Sequence, residues 1–165
     1  NFIHKTSSYL AFVSNENDKE LDFYSIGSAS AGSMFKSHSE TAASVGSHYK
    51  VNTVTLDYLS DYFKLIPDFI KIDVEGAESL VLEGAITIAK NNEIKILIEM
   101  HSNKELSMIE NTERVLTWCK KTNYEAWYLK DNSKLVNNEQ LKNRGRCHLI
   151  LLPKSVDFDY FLNKL

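Results

Sequence analysis

The chain has 165 residues and 43% apolar side chains, enough for one sizeable core and too few for two, so a single domain is expected over residues 1–165. Its 19 basic and 22 acidic residues give a net charge of -3, and no stretch gathers Lys and Arg into the stripe that tracks phosphates, which excludes nucleic acid as an expected partner. The longest apolar runs, 94–100 and 148–152, fall far short of the roughly 18 to 20 residues that cross a bilayer, and no basic start precedes an apolar segment. The composition predicts a soluble, cytoplasmic protein without a membrane partner.

Residues 9–14, YLAFVS, are β-prone, and 15–19 form a turn by composition. ELDFYSI at 20–26 alternates around Leu21 and Phe23 with the period of a half-buried strand. From Gly27 to Gly46 the sequence is Gly, Ser, Ala, His and Thr with few large apolar residues, which predicts a mobile loop over one face. His38 and His48 fall in this polar region, where solvation is expected and contact with a substrate is the alternative. VNTVTLD, 51–57, reads as a strand, after which Asp57 caps a short helix carrying Leu59, Tyr62, Phe63 and Ile66, ended by Pro67.

Residues 69–73 give a short buried strand, 74–76 a turn, and Ala77 the start of a helix with Ala77, Leu80, Val81, Gly84, Ala85 and Ile88 on one stripe, closed by Asn91-Asn92. IKILIEM, 94–100, is a near-continuous apolar strand, the pattern of a sheet covered on both faces. A helix capped near Asn111 or Thr112 follows, with Val115, Leu116 and Cys119 inward and Asn123 at its end. Strands at 124–130 and 147–153 then flank a solvated polar connection. Trp118 and Trp127 read as core aromatics. Cys119 and Cys147 lack CxxC spacing and read as core thiols of a reducing compartment. The order of elements predicts an α/β, doubly wound sheet finishing in an antiparallel strand pair.

The stretch DFIKIDVEGAE, 68–78, carries the chemistry. Ligands of open parallel sheets bind beyond the carboxyl ends of the strands, and Asp73 stands at such an end. Gly76 removes a Cβ where the chain turns sharply or a ligand approaches, and Glu78 complements the helix dipole. Two roles fit Asp73 and Glu75: capping the helix, or meeting a cationic ligand, a metal or a hydroxyl proton. The next strand ends in Glu99-Met100-His101. Glu99 and His101, two apart, share a face, and an imidazole can act as a base near neutral pH.

PDFIKIDVEGAESLVLEGA, 67–85, followed by ILIEMH, 96–101, resembles the C-terminal part of the FkbM-type methyltransferases, which carry an IKIDVEGAE strand end, a VLxGA helix and an ILxExH strand. VNTVTLDYL and FVSNENDKELDFYS resemble further segments of that family, so the likeness runs over about residues 10 to 101. The resemblance implies a Rossmann-like class I methyltransferase sheet whose last strand is inserted antiparallel. It implies methyl transfer from S-adenosylmethionine to a hydroxyl of a sugar or small metabolite. On this reading Asp73, Glu75 and His101 are the candidate catalytic residues. Ser14, Asn15 and Asp73 are candidate cofactor contacts, and Glu75, Gly76 and Glu99 line the acceptor side.

The family's glycine-rich loop is missing: the six glycines form neither G-x-G nor G-x-x-G. The expectation is therefore an N-terminally truncated domain rather than a degenerate one. A non-catalytic binding module of the same fold is the alternative, and a metal-dependent hydrolase using Asp73, Glu75 and His101 as ligands is a further one. The first reading assigns no metal ligand, and whether a metal assists is not written in the residues. Neither the acceptor nor the oligomeric state is written in the residues.

Overall fold

The computed structural model describes residues 6–27 and 32–163. It is a mixed α/β structure with two sheets. The smaller is built from β1 (Phe12–Val13), β2 (Glu20–Tyr24) and β3 (His48–Val54), in the order β1-β3-β2. Strand β3 pairs parallel with β1, Phe12 against Thr53, and antiparallel with β2 from Glu20 against Asn52 to Tyr24 against His48.

Between β2 and β3 the polar region contains a short helix, α1 (Glu40–Ser44), and a bridge from Ser33 back to Tyr24. The expected loop is thus partly ordered, while residues 28–31 lie outside the described residues.

Helix α2 (Leu56–Phe63) is capped by Thr55, whose hydroxyl accepts from the Tyr58 amide, and not by Asp57. The Asp57 carboxylate instead accepts from the Thr87 and Ile88 amides, 2.9 Å each, at the start of another helix. The carboxylate thereby satisfies two of the four amides that a helix start leaves without partners. Helix α2 stops at Lys64 in the left-handed conformation, three residues before Pro67. Its apolar stripe stays open among the described residues, with Tyr62 61% and Phe63 49% exposed.

The larger sheet has the order β4-β5-β8-β6-β7. It comprises β4 (Phe69–Ile72), β5 (Lys95–His101), β6 (Tyr124–Tyr128), β7 (Ser133–Lys134) and β8 (Arg146–Pro153). Strands β4 and β5 are parallel, and β8 inserts antiparallel between β5 and β6. The antiparallel terminal pair read from the sequence is therefore present, Tyr124 facing Pro153 and Tyr128 facing Leu149. Only β4 and β5 of this sheet run parallel, so the sheet is mixed and not uniformly parallel.

Alternation along the strands divides the apolar residues between two faces. Ile96, Ile98, Leu149 and Leu151 meet Val81, Leu82, Val115 and Trp118 from helices α3 (Glu78–Glu83) and α5 (Met108–Thr122). On the opposite face Ile150 and Leu152 meet Phe158 of α6 (Phe158–Leu162), and Trp127 stacks on Phe158 with centroids 4.1 Å apart. Trp118 is buried edge-on to Tyr124. Both cysteines are buried and free, and burial pushes the Cys119 thiol up to about 12 and that of Cys147 up to about 11. The 131–146 connection is not merely solvated: it holds β7 and a 3-10 turn at Asn138–Leu141, with Leu135 and Leu141 in the core.

Two helix boundaries differ from expectation. The helix begun at Glu78 breaks at Gly84-Ala85 and restarts as α4 (Ile86–Asn91). Residue 84 must be glycine, since a Cβ there would stand 2.1 Å from the Ser14 carbonyl oxygen. Here the small sheet touches the helical layer. Helix α5 starts at Ser107, not at Asn111 or Thr112: Ser107 and Glu110 form a reciprocal capping box. Asn111 and Thr112 lie inside the helix, fully buried.

Gly84→Ala is expected to lower stability by about 1–3 kcal/mol, because a backbone carbonyl cannot swing aside as a side chain can. Gly145→Ala, where a Cβ meets nothing within 4 Å, is expected to stay within about 0.5 kcal/mol. Thermal melts of the two variants check the contrast.

Candidate functional site

Strand β4 ends at Ile72, and Asp73 to Gly76 carry the chain to α3. Glu75 and Gly76 both take positive φ, 51° and 100°. For glutamate this is an unusual conformation, sustained only where neighbours hold it. Those neighbours are the Ser33 hydroxyl, which donates to the Glu75 carbonyl at 3.0 Å, and the Glu78 carboxylate, which accepts from the Gly76 amide at 2.9 Å. A Cβ on Gly76 would stand 2.6 Å from the Asn103 side-chain Nδ2, which can move aside, so it is the positive φ that calls for glycine.

Glu78 is fully buried. An ionised carboxylate out of water is tolerated only when it is paired and hydrogen-bonded. Here it meets His101 Nδ1 at 2.8 Å and accepts from Asn111 Nδ2 at 3.1 Å in addition to the Gly76 amide. The same Asn111 nitrogen donates to the His101 carbonyl at 3.1 Å. The end of β4, the end of β5 and the first turn of α5 are thus tied to one carboxylate.

His101 closes β5 with its side chain 9% exposed. Its Nε2 faces Glu75 and Glu99, each with an oxygen 3.7 Å away. The hydrogen bond to Glu78 raises the imidazole above its ordinary 6.5; burial opposes this, while the charges of Glu78, Glu75 and Glu99 add to it. His38, expected in solvent, sits over this cluster instead. Its Nε2 is 2.9 Å from the Ser102 carbonyl, its Nδ1 is 3.5 Å from Glu75, and its ring lies edge-on to His101. His48 stays exposed beside Asp22.

Asp73 lies at the rim, 37% exposed and 2.7 Å from Lys71 Nζ. Glu99 is less open at 14% and faces Arg146 at 3.3 Å and His148 at 3.2 Å, both on β8. One ligand atom each from Asp73, Glu99 and His101 lie within 4.8 Å of one another. Asp73, Glu75, Gly76, Glu99 and His101 therefore gather at the carboxyl ends of β4 and β5.

Ser14 and Asn15 do not join it. Ser14 is buried against Gly84, and Asn15 Nδ2 donates to Glu83 at 3.1 Å, at the C-terminal end of α3. Glu78 begins that helix, which at 1.5 Å per residue places the two regions about 9 Å apart along it.

Residues 3–126 match the family described as the methyltransferase FkbM domain. The chain belongs to the FkbM methyltransferase family. No curated protein and no solved structure gives a significant match. Asp73, Glu75, Glu78, Glu99, His38 and His101 all fall inside the matched range, whereas Arg146 and His148 of β8, which face Glu99, lie beyond it.

Three members of this FkbM-domain pocket escaped the sequence. Glu78 was read only as a dipole partner, yet it stands one turn before the fully buried Leu82, a spacing that puts it on the inward face. Asn111 lies inside α5 and not at its cap, because the Ser107–Glu110 box starts the helix one turn earlier. His38 had no local signal, since its position depends on the long-range contacts of residues 33–40. No helix among the described residues is long and apolar enough to cross a membrane.

Because the folded state holds His101 above 6.5, its contribution to stability is fully present below the unfolded value and lost as pH rises through the folded one. Urea midpoints across pH 5 to 9 are expected to show that decline in wild type and a flatter profile in Glu78→Gln. Glu78→Ala, which strands the buried imidazole, is expected to cost about 3–5 kcal/mol.

Proposed function

We propose that this FkbM-family chain is the acceptor-side part of an S-adenosylmethionine-dependent O-methyltransferase, acting on a hydroxyl of a sugar or other small metabolite. The class I, Rossmann-like arrangement belongs to the same reading, and the β8 insertion between β5 and β6 supports it. The observation that carries the proposal is His101: its Nδ1 is held by a buried carboxylate, and its Nε2 is turned toward Glu75 and Glu99 at the carboxyl edge of two parallel strands.

The pocket suits a cationic donor, since four carboxylates, Asp73, Glu75, Glu78 and Glu99, stand against Lys71 and Arg146. S-adenosylmethionine, when bound, supplies an electrophilic methyl on a positive sulfonium. Asp73 at the rim complements that charge, and Ser14 and Asn15, at the far end of α3, are the residues proposed for the adenine edge. Glu75, fixed by the strained turn, orients the acceptor hydroxyl. As the oxygen–methyl bond forms and the sulfur–methyl bond breaks, His101 Nε2 takes the hydroxyl proton, and Glu78 stabilises the resulting imidazolium. Holding the imidazole in place beforehand removes the cost of orienting it during reaction.

In the protein made from its complete reading frame, S-adenosylhomocysteine is expected to bind in isothermal titration, with Asp73→Ala weakening it at least about tenfold. His101→Gln is expected to leave that affinity within about threefold while slowing transfer of labelled methyl to simple sugars by roughly 10² to 10⁴, the usual weight of a positioned base. Absence of binding heat would sink the donor assignment. Binding with an unaffected His101→Gln rate would remove the base.

A further inference from the structure

We propose that Asp73, Glu99 and His101 form a binding site for a first-row divalent cation of the zinc or manganese class. One imidazole nitrogen and two carboxylate oxygens are the donor set such ions take, with a position left open. The three ligand atoms already lie within 4.8 Å of one another. The independent sign is His101. Its side chain is 9% exposed, yet Nε2 makes no hydrogen bond among the described residues and faces the Glu75 and Glu99 carboxylates at 3.7 Å each, with the His38 ring edge-on beside it. Its other nitrogen is held by the buried Glu78 at 2.8 Å, the outer carboxylate that orients metal-binding histidines and fixes their free lone pair.

Ligands at about 2.0–2.2 Å from a tetrahedral ion are roughly 3.4 Å apart, so the outermost pair must draw together. Asp73 can supply that movement because it is 37% exposed and its partner Lys71 is 53% exposed. Arg146 on Glu99 is likewise 68% exposed. Exposed pairs of this kind hold their geometry weakly, whereas His101 and Glu78 cannot move without breaking the core.

A cation on Nε2 occupies the lone pair that the proposed methyl transfer uses. Metal-bound and proton-accepting forms therefore exclude each other, and the ion acts as an inhibitor. That consequence rests on the methyltransferase reading, while binding itself does not.

Titration of metal-stripped protein with zinc chloride and with manganese chloride, without donor or acceptor, separates the two. One ion per chain is expected, zinc binding more tightly than manganese, with His101→Gln and Asp73→Asn each weakening zinc at least tenfold. Asp73 lies at the surface, so Asp73→Asn tests the site in a folded protein even where His101→Gln lowers stability. No saturable binding in wild type, or unchanged binding in Asp73→Asn, overturns the site. Zinc that accelerates methyl transfer overturns the inhibitory role and leaves the site standing.

Discussion

A single buried carboxylate organises this protein's candidate site. Glu78 is fully buried, and such a group survives in a core only if it is paired and hydrogen-bonded. Its partners come from three places far apart in sequence: the Gly76 amide, the His101 imidazole and the Asn111 amide. Satisfying Glu78 thus fixes the strained turn at Glu75, the orientation of His101 and the docking of α5 at once. Each of these also serves the pocket, so stability and chemistry are coupled through the same bonds.

Outside that knot the pocket is looser. Asp73, Lys71 and Arg146 are exposed, and their ion pairs are of the kind that contribute little on their own. Residues 33–40 lie across the strand ends through Ser33 on the Glu75 carbonyl, Ser37 on Glu105, His38 on the Ser102 carbonyl and Lys104 on Glu40. These contacts are polar, two of them part-buried and two exposed, and a segment held mainly by polar bonds opens at lower cost than the apolar core beneath it. A rigid His101–Glu78 floor under a more yielding rim is the arrangement expected where a ligand must enter and leave.

Strand positions were legible because their signal is local. The apolar runs at 69–72 and 95–101 and the antiparallel closing pair follow from periodicity and element order alone. The convergence of Asp73, Glu75, Glu99 and His101 was legible for the same reason, since adjacent parallel strands bring their carboxyl ends together. What failed were features set by distant neighbours. The need for glycine at 84 comes from the Ser14 carbonyl, Asp57 caps a helix thirty residues on instead of its own, and His38 is placed by Ser102 and Glu75. Ser14 and Asn15, read as adenine-edge contacts from family likeness alone, stand at the C-terminal end of α3, away from Asp73.

The central claim is that Glu78 holds His101 with Nδ1 occupied and Nε2 free. Nitrogen NMR of the imidazole, followed across pH in the native protein, reads both halves directly. The expected result is a titration midpoint above 6.5 and a neutral form protonated on Nδ1. A midpoint at or below that value, with the proton on Nε2, would contradict the account.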